Sequence, residues 1–166
     1  MSMNWFLLWL VLHITAAVIA FGPLFVFPIV GTLLAASPQH ASFALHLNKR
    51  ISRRLVVPFG ASMLVSGSGL IWTANINWFG TPFLIVAVLL YLGALTLGLA
   101  VLTPNTERLI RIVDQAPAGG PLTATAPPPQ VPRLIRQNQI AGGATMILFL
   151  TIIILMIVQP GGLSLR

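Results

Sequence analysis

Four apolar runs, at about residues 5–36, 55–76, 82–102 and 140–158, constrain this chain more than any other feature. A helix rises 1.5 Å per residue, so about 20 apolar residues cross the roughly 30 Å hydrocarbon core of a bilayer. Each run is about that long or longer. Backbone inside hydrocarbon must satisfy its own hydrogen bonds, which a helix does within one segment. The expected fold class is therefore all-α: a polytopic membrane protein with four transmembrane helices, forming one domain over residues 1–166. Composition excludes a water-soluble globule, since only 7% of residues are charged against roughly 25% in soluble domains.

The first run is too long for an untilted span, and Gly22, Pro23 and Pro28 predict a kink or a steep path through the bilayer. It is read as a retained span and not as a signal peptide. No basic residue precedes it, and it far exceeds the roughly 7–15 residues of a signal core. Asn75, Asn77, Trp78 and Gly80 predict a short polar and aromatic turn between the second and third runs, with Trp72 and Trp78 in an interfacial belt.

The cations set the orientation. Lys49, Arg50, Arg53 and Arg54 follow the first run, Arg108, Arg111, Arg133 and Arg136 follow the third, and Arg166 alone falls on the other side. The positive-inside rule makes both long loops cytoplasmic and places the N- and C-termini on the non-cytoplasmic side of a cell (inner) membrane. The net charge of +7 then reflects topology and attraction to anionic lipid in the bilayer. No aromatic side chains interleave with these arginines, so nucleic acid is not an expected partner.

The two loops differ in kind. In "HASFALHLNKRISRRL", residues 40–55, Phe43, Leu47 and Ile51 recur at helical spacing among cations, which predicts an amphipathic interfacial helix anchoring the second span. Residues 114–132, "DQAPAGGPLTATAPPPQVP", read as a proline- and alanine-rich spacer.

Polar machinery is scarce at depth. Glu107 and Asp114 are the only carboxylates, and both lie outside the apolar runs. The acidic relay of a secondary transporter and the paired acids of a hydrolase are thus missing. The chain has no cysteine, so thiolate metal sites and thiol nucleophiles are excluded. Ser62, Ser66 and Ser68 have no acid partner for a triad and read as hydroxyls bonded to nearby carbonyls. His40 and His46 are six positions apart, which does not suit a helical metal pair.

The second run is rich in small residues, with Gly60, Ser66, Gly67 and Gly69 as candidate helix-packing positions. Ala94 and Gly98 make a small-xxx-small step on the third. His13 is the one imidazole within an apolar run, and Ala16, Ala17 and Ala20 follow it at helical spacings. Such a low-volume face accepts either a neighbouring helix or a flat ligand.

The stretches "LWLVLHITAAVIAFGPLF", "RISRRLVVPFGASMLVSGSGLIW" and "WFGTPFLIVAVLLYLGALTLGLAVLTP" together resemble a bacterial family of predicted four-helix membrane proteins of unknown function, over nearly the whole chain. More distantly, the chain is similar to HemJ-type protoporphyrinogen oxidases and to the membrane domain of CopD-type copper-resistance proteins. The HemJ-type resemblance implies haem b as cofactor with His13 as axial ligand, and Arg53, Arg54 and Pro58 in the basic entry to the second helix; the spacing of Ala16, Ala17 and Ala20, with Tyr91, makes these the candidate pocket residues beside His13. That enzyme family's third-helix lysine has no counterpart, and Tyr91 is the only sizeable polar group in the third run. For copper, one histidine and five scattered methionines fall short of a clustered ligand set.

Two functional classes follow. The first is a non-enzymatic membrane component, packed as a homo-oligomer or within a larger membrane complex, with no catalytic residue. The alternative is a haem or porphyrin protein of redox or tetrapyrrole metabolism that uses His13.

Overall fold

The computed structural model describes residues 4–77, 80–115 and 128–158. The first run forms a single helix, α1 (Trp5–Ala36), with Pro23 and Pro28 inside it. A short 3₁₀ turn (Pro38–His40) leads to α2 (Ala41–Ile51), a π-helical turn (Ser52–Val56) and α3 (Val57–Thr73). After the turn at Asn75 come α4 (Pro82–Leu97), a second π-helical turn (Gly98–Leu102) and α5 (Thr103–Asp114). The last helix is α6 (Gln130–Val158). Four helical runs are long and apolar enough to cross a membrane, and no strand occurs among the described residues.

Three of these runs outlast their apolar segments. Helix continues from Ala41 to Thr73 and from Pro82 to Asp114, and α6 begins ten residues before the fourth apolar run. Hydropathy reports only the part that hydrocarbon would cover, whereas the backbone ladder runs on into polar sequence. The expected spacer loses both ends to helix: Asp114 closes α5 and Gln130 opens α6. Residues 116–127, Trp78 and Arg166 lie outside the described residues.

The two π turns share one cause. Each stands two residues before a proline, Pro58 in α3 and Pro104 in α5. A proline inside a helix lacks the N–H and presses on the carbonyl four residues back. A wide turn just upstream relieves that clash and re-registers the ladder. At the second turn Thr103 Oγ1 donates to the Gly98 carbonyl five residues back, at 2.9 Å.

At the other end α3 stops in a Schellman motif. Asn75 takes φ 50°, its N–H reaches the Trp72 carbonyl at 3.2 Å, and the Ile76 N–H reaches Ile71 at 3.1 Å. Asparagine tolerates this left-handed position better than other non-glycine residues. Pro82 then starts α4 in its first turn, where no N–H is needed.

The helices associate as two close pairs, α1 with α3 and α4 with α6. The pairs meet where α1 packs on α6, with the Phe21 and Phe149 rings 4.0 Å apart between centroids. Ala16, Ala20, Phe21, Leu24, Met63, Tyr91 and Ile152 form the core there. A second core, Leu45, Leu109, Ile110, Val131 and Leu134, joins α2, α5 and the start of α6 at the basic end. On α2, Phe43 of the expected interfacial face is 70% exposed, while another side, at Leu45, packs with Leu109 and Ile110 of α5.

Candidate functional site

The candidate site begins on the face that α1 turns toward α3. The helices run antiparallel, so their contacts descend in register. Trp9 covers Gly69, and His13 covers Gly67. His13 Nδ1 lies 3.0 Å from Ser66 Oγ. Small residues on α3 make this approach possible: a Cβ at Gly69 would collide with the Trp9 ring, and one at Gly67 would touch His13 Cε1 at 3.4 Å.

Ser66 Oγ also lies 2.9 Å from the Ser62 carbonyl and 3.3 Å from that of Met63. Which atom donates across the His13–Ser66 contact follows the imidazole tautomer. Ser62 and Ser68 bond within α3, to the Phe59 and Leu64 carbonyls.

A haem needs an axial donor and room for its macrocycle. A neutral imidazole offers one ring lone pair as such a donor. The alanine face beside it is occupied by protein: Ala16 and Ala20 are 5% and 1% exposed and packed in one core with Met63, Tyr91 and Ile152. Ala17 is half-buried against the same core. His40 and His46 stand at the basic end, so His13 has no second imidazole at its depth. In this packing the residues do not fit a macrocycle. Among the described residues no group of three or more His, Cys, Asp or Glu could hold a metal.

Tyr91 crosses from α4 to α3, where its hydroxyl donates to the Gly60 carbonyl at 2.6 Å. Ala94, one turn further along α4, is buried. Gly98 stands apart from these contacts, because a Cβ there would meet nothing within 4 Å.

The basic end holds an interhelical network that the residue pattern alone did not suggest. Asp114 accepts from Ser42 Oγ at 2.8 Å through one oxygen and lies 3.0 Å from His46 Nε2 through the other. Lys49 Nζ pairs with Glu107 at 3.0 Å. The Ser42 hydrogen bond, then that of His46, hold the Asp114 carboxyl below its ordinary value. The Lys49 hydrogen bond and charge do the same for Glu107. Both carboxylates of the chain thus clamp α5 to α2. Their spacing carried a signal: positions 42, 46 and 49 share one helical face, and 107 and 114, seven apart, share another. Two weaker amide contacts join α5 to α6, Asn105 to Gln137 at 3.2 Å and Asn138 to Thr106 at 3.3 Å.

Compared with known proteins, residues 7–160 match the model of a family described as "Predicted integral membrane protein (DUF2269)". Neither a curated protein nor a solved structure matches the chain.

Proposed function

Because the chain belongs to the DUF2269 family of predicted integral membrane proteins, we propose that it acts as a non-enzymatic component of a membrane assembly. The observation carrying this reading is the His13–Ser66 contact at 3.0 Å. The one imidazole at depth, the group best suited to chemistry, is engaged in holding α1 against α3. Tyr91 is engaged likewise on Gly60, and both carboxylates on α2. Polar groups placed this way stabilise and orient a bundle. Among the described residues they leave no acid, base and nucleophile converging on one point.

In this reading the basic end is cytoplasmic, the Asn75 turn and both termini lie on the far side of a bacterial inner membrane, and the outer faces of the helices meet lipid or partner subunits. Val18, Val65 and Ile157, each more than 60% exposed, suit hydrocarbon or another helix.

The deciding experiment takes protein gently extracted from haem-replete membranes and records its spectrum, oxidised and reduced, together with its native mass. A colourless protein in a homo-oligomer or heteromeric complex supports the proposal. A Soret band lost in His13→Ala overturns it in favour of a haem protein with His13 as axial ligand, the function implied by the HemJ-type resemblance.

A further inference from the structure

An open groove of about 450 Å³ runs between the third and fourth helical runs, beside the π turn before Pro104. Its walls are apolar and low, formed chiefly by Ala100, Ile140, Ala141 and Ala144, and it ends at Asn105 and Gln137. At Gly98 and Gly142, on the two flanking helices, a Cβ would meet nothing within 4 Å. Neighbouring helices therefore leave this side uncovered.

The groove is graded in polarity along its length. Asn105 and Gln137 each lie three positions outside an apolar run, about 4.5 Å beyond its end at the helical rise. One turn further out on the same faces come Arg108, beyond Asn105, and Arg133 and Arg136, before Gln137 and Ile140. All three arginines are exposed. Among the described residues Glu107 pairs with Lys49, and Asp114 is bonded to Ser42 and His46, so both carboxylates are engaged away from these arginines.

We propose that this groove binds one anionic glycerophospholipid. An acyl chain lies along the alanine walls, the glycerol esters meet the Asn105 and Gln137 amides, and the phosphate sits among Arg108, Arg133 and Arg136. Charge complementarity selects the occupant: an apolar channel opening onto unpaired guanidiniums at headgroup depth matches a lipid that is apolar at one end and anionic at the other. A diffuse basic belt would attract acidic lipid without needing the groove, and that difference is testable.

The test titrates full-length protein in neutral detergent with phosphatidylglycerol or phosphatidylcholine, reading melting temperature and the lipids retained in native mass spectra. Phosphatidylglycerol should raise the melting temperature saturably, with about one lipid retained per chain. Arg108→Gln with Arg136→Gln should weaken apparent affinity about thirtyfold, from about 1 kcal/mol per cation near the surface. Ala144→Phe, which fills the groove, should abolish retention. Arg50→Gln with Arg54→Gln, away from the groove, should leave affinity unchanged. The exposed arginine pair keeps the test decisive should Ala144→Phe fail to fold. Equal effects of the two lipids, or equal losses in the two arginine pairs, would overturn the proposal. So would a stabilisation that follows protein concentration, which would assign the groove to a second copy.

Discussion

Tyr91 and Gly60 are joined by a 2.6 Å hydrogen bond, although no Cα of α3 comes within 8 Å of one in α4. The connecting turn and the α2–α5 pair hold these two runs together at their ends. Within the bundle the phenol bridges them, resting among Ala16, Met63 and Ile152. Among the described residues this side chain thus provides the direct polar link between α3 and α4.

Removing only that hydroxyl, Tyr91→Phe, should destabilise the bundle by about 0.6 kcal/mol, the average for such bonds in membranes. Tyr91→Ala should cost about 3–5 kcal/mol, because the ring also fills core volume. Reversible unfolding in mixed micelles measures both. Equal losses in the two variants would show that the ring contributes no packing.

For His13 and Ser66, the double-mutant cycle of His13→Ala with Ser66→Ala should return a coupling of about 0.6 kcal/mol. His13→Ala should still insert into the membrane, since it removes a polar group from an apolar helix. Zero coupling, measured by the same unfolding assay, would mean that the 3.0 Å contact contributes no stability.

Glycine substitutions should separate along α3 according to what each Cβ meets. Gly69→Ala forces the Trp9 ring aside and should cost about 1–3 kcal/mol through overpacking. Gly67→Ala touches His13 at 3.4 Å, so helix propensity should offset most of its steric cost. Gly67→Leu reaches past that limit and should disrupt the α1–α3 pair. Thermal melting of the three variants should rank them Gly67→Ala, Gly69→Ala, Gly67→Leu in order of increasing damage, on the expectation that leucine has no space to turn into.

The acidic clamp should open in acid. Glu107 and Asp114 are held below their ordinary values of 4.5 and 3.8, so the folded state binds fewer protons than the unfolded. Their stabilisation is complete above those values and is lost as pH falls through the lowered folded values. Spin labels at Phe43 and Gln115, on α2 and just past α5, should keep one narrow distance at neutral pH and broaden below about pH 4. A Glu107→Gln and Asp114→Asn double variant should be broad already at pH 7.

Much of the bundle was legible because a bilayer imposes long apolar runs, and the turn at Asn75 was legible because its polar residues interrupt them. Partner choice was not. Three serines punctuate α3, yet only Ser66 meets His13, a fact set by the axial register of α1 on α3. Periodicity marked Phe43 and Leu47, but α5 approached from the Leu45 side. The prolines at 58 and 104 were visible in the sequence, while the π turns that relieve them needed the backbone. Polar contacts at 42–114 and 49–107 escaped because charge patterning along a chain does not say which helix lies opposite.

The orientation of the bundle gives the last prediction. Lys49, Arg50, Arg53, Arg54, Arg108, Arg111, Arg133 and Arg136 lie near the end formed by α2, α5 and the start of α6. Translocating that end would carry every one of these cations across the membrane, whereas the Asn75 turn carries none. Cysteines are absent from the chain, so single introduced thiols report cleanly. Gln39→Cys and Gln115→Cys, at exposed positions, should resist an impermeant maleimide in intact cells and label after permeabilisation. Asn77→Cys, at the opposite end, should label in intact cells. The reverse pattern would invert the topology. Labelling of Gln39 with protection of Gln115 would break the four-span arrangement itself, because α2 and α5 pack side by side and their ends must share one face of the membrane.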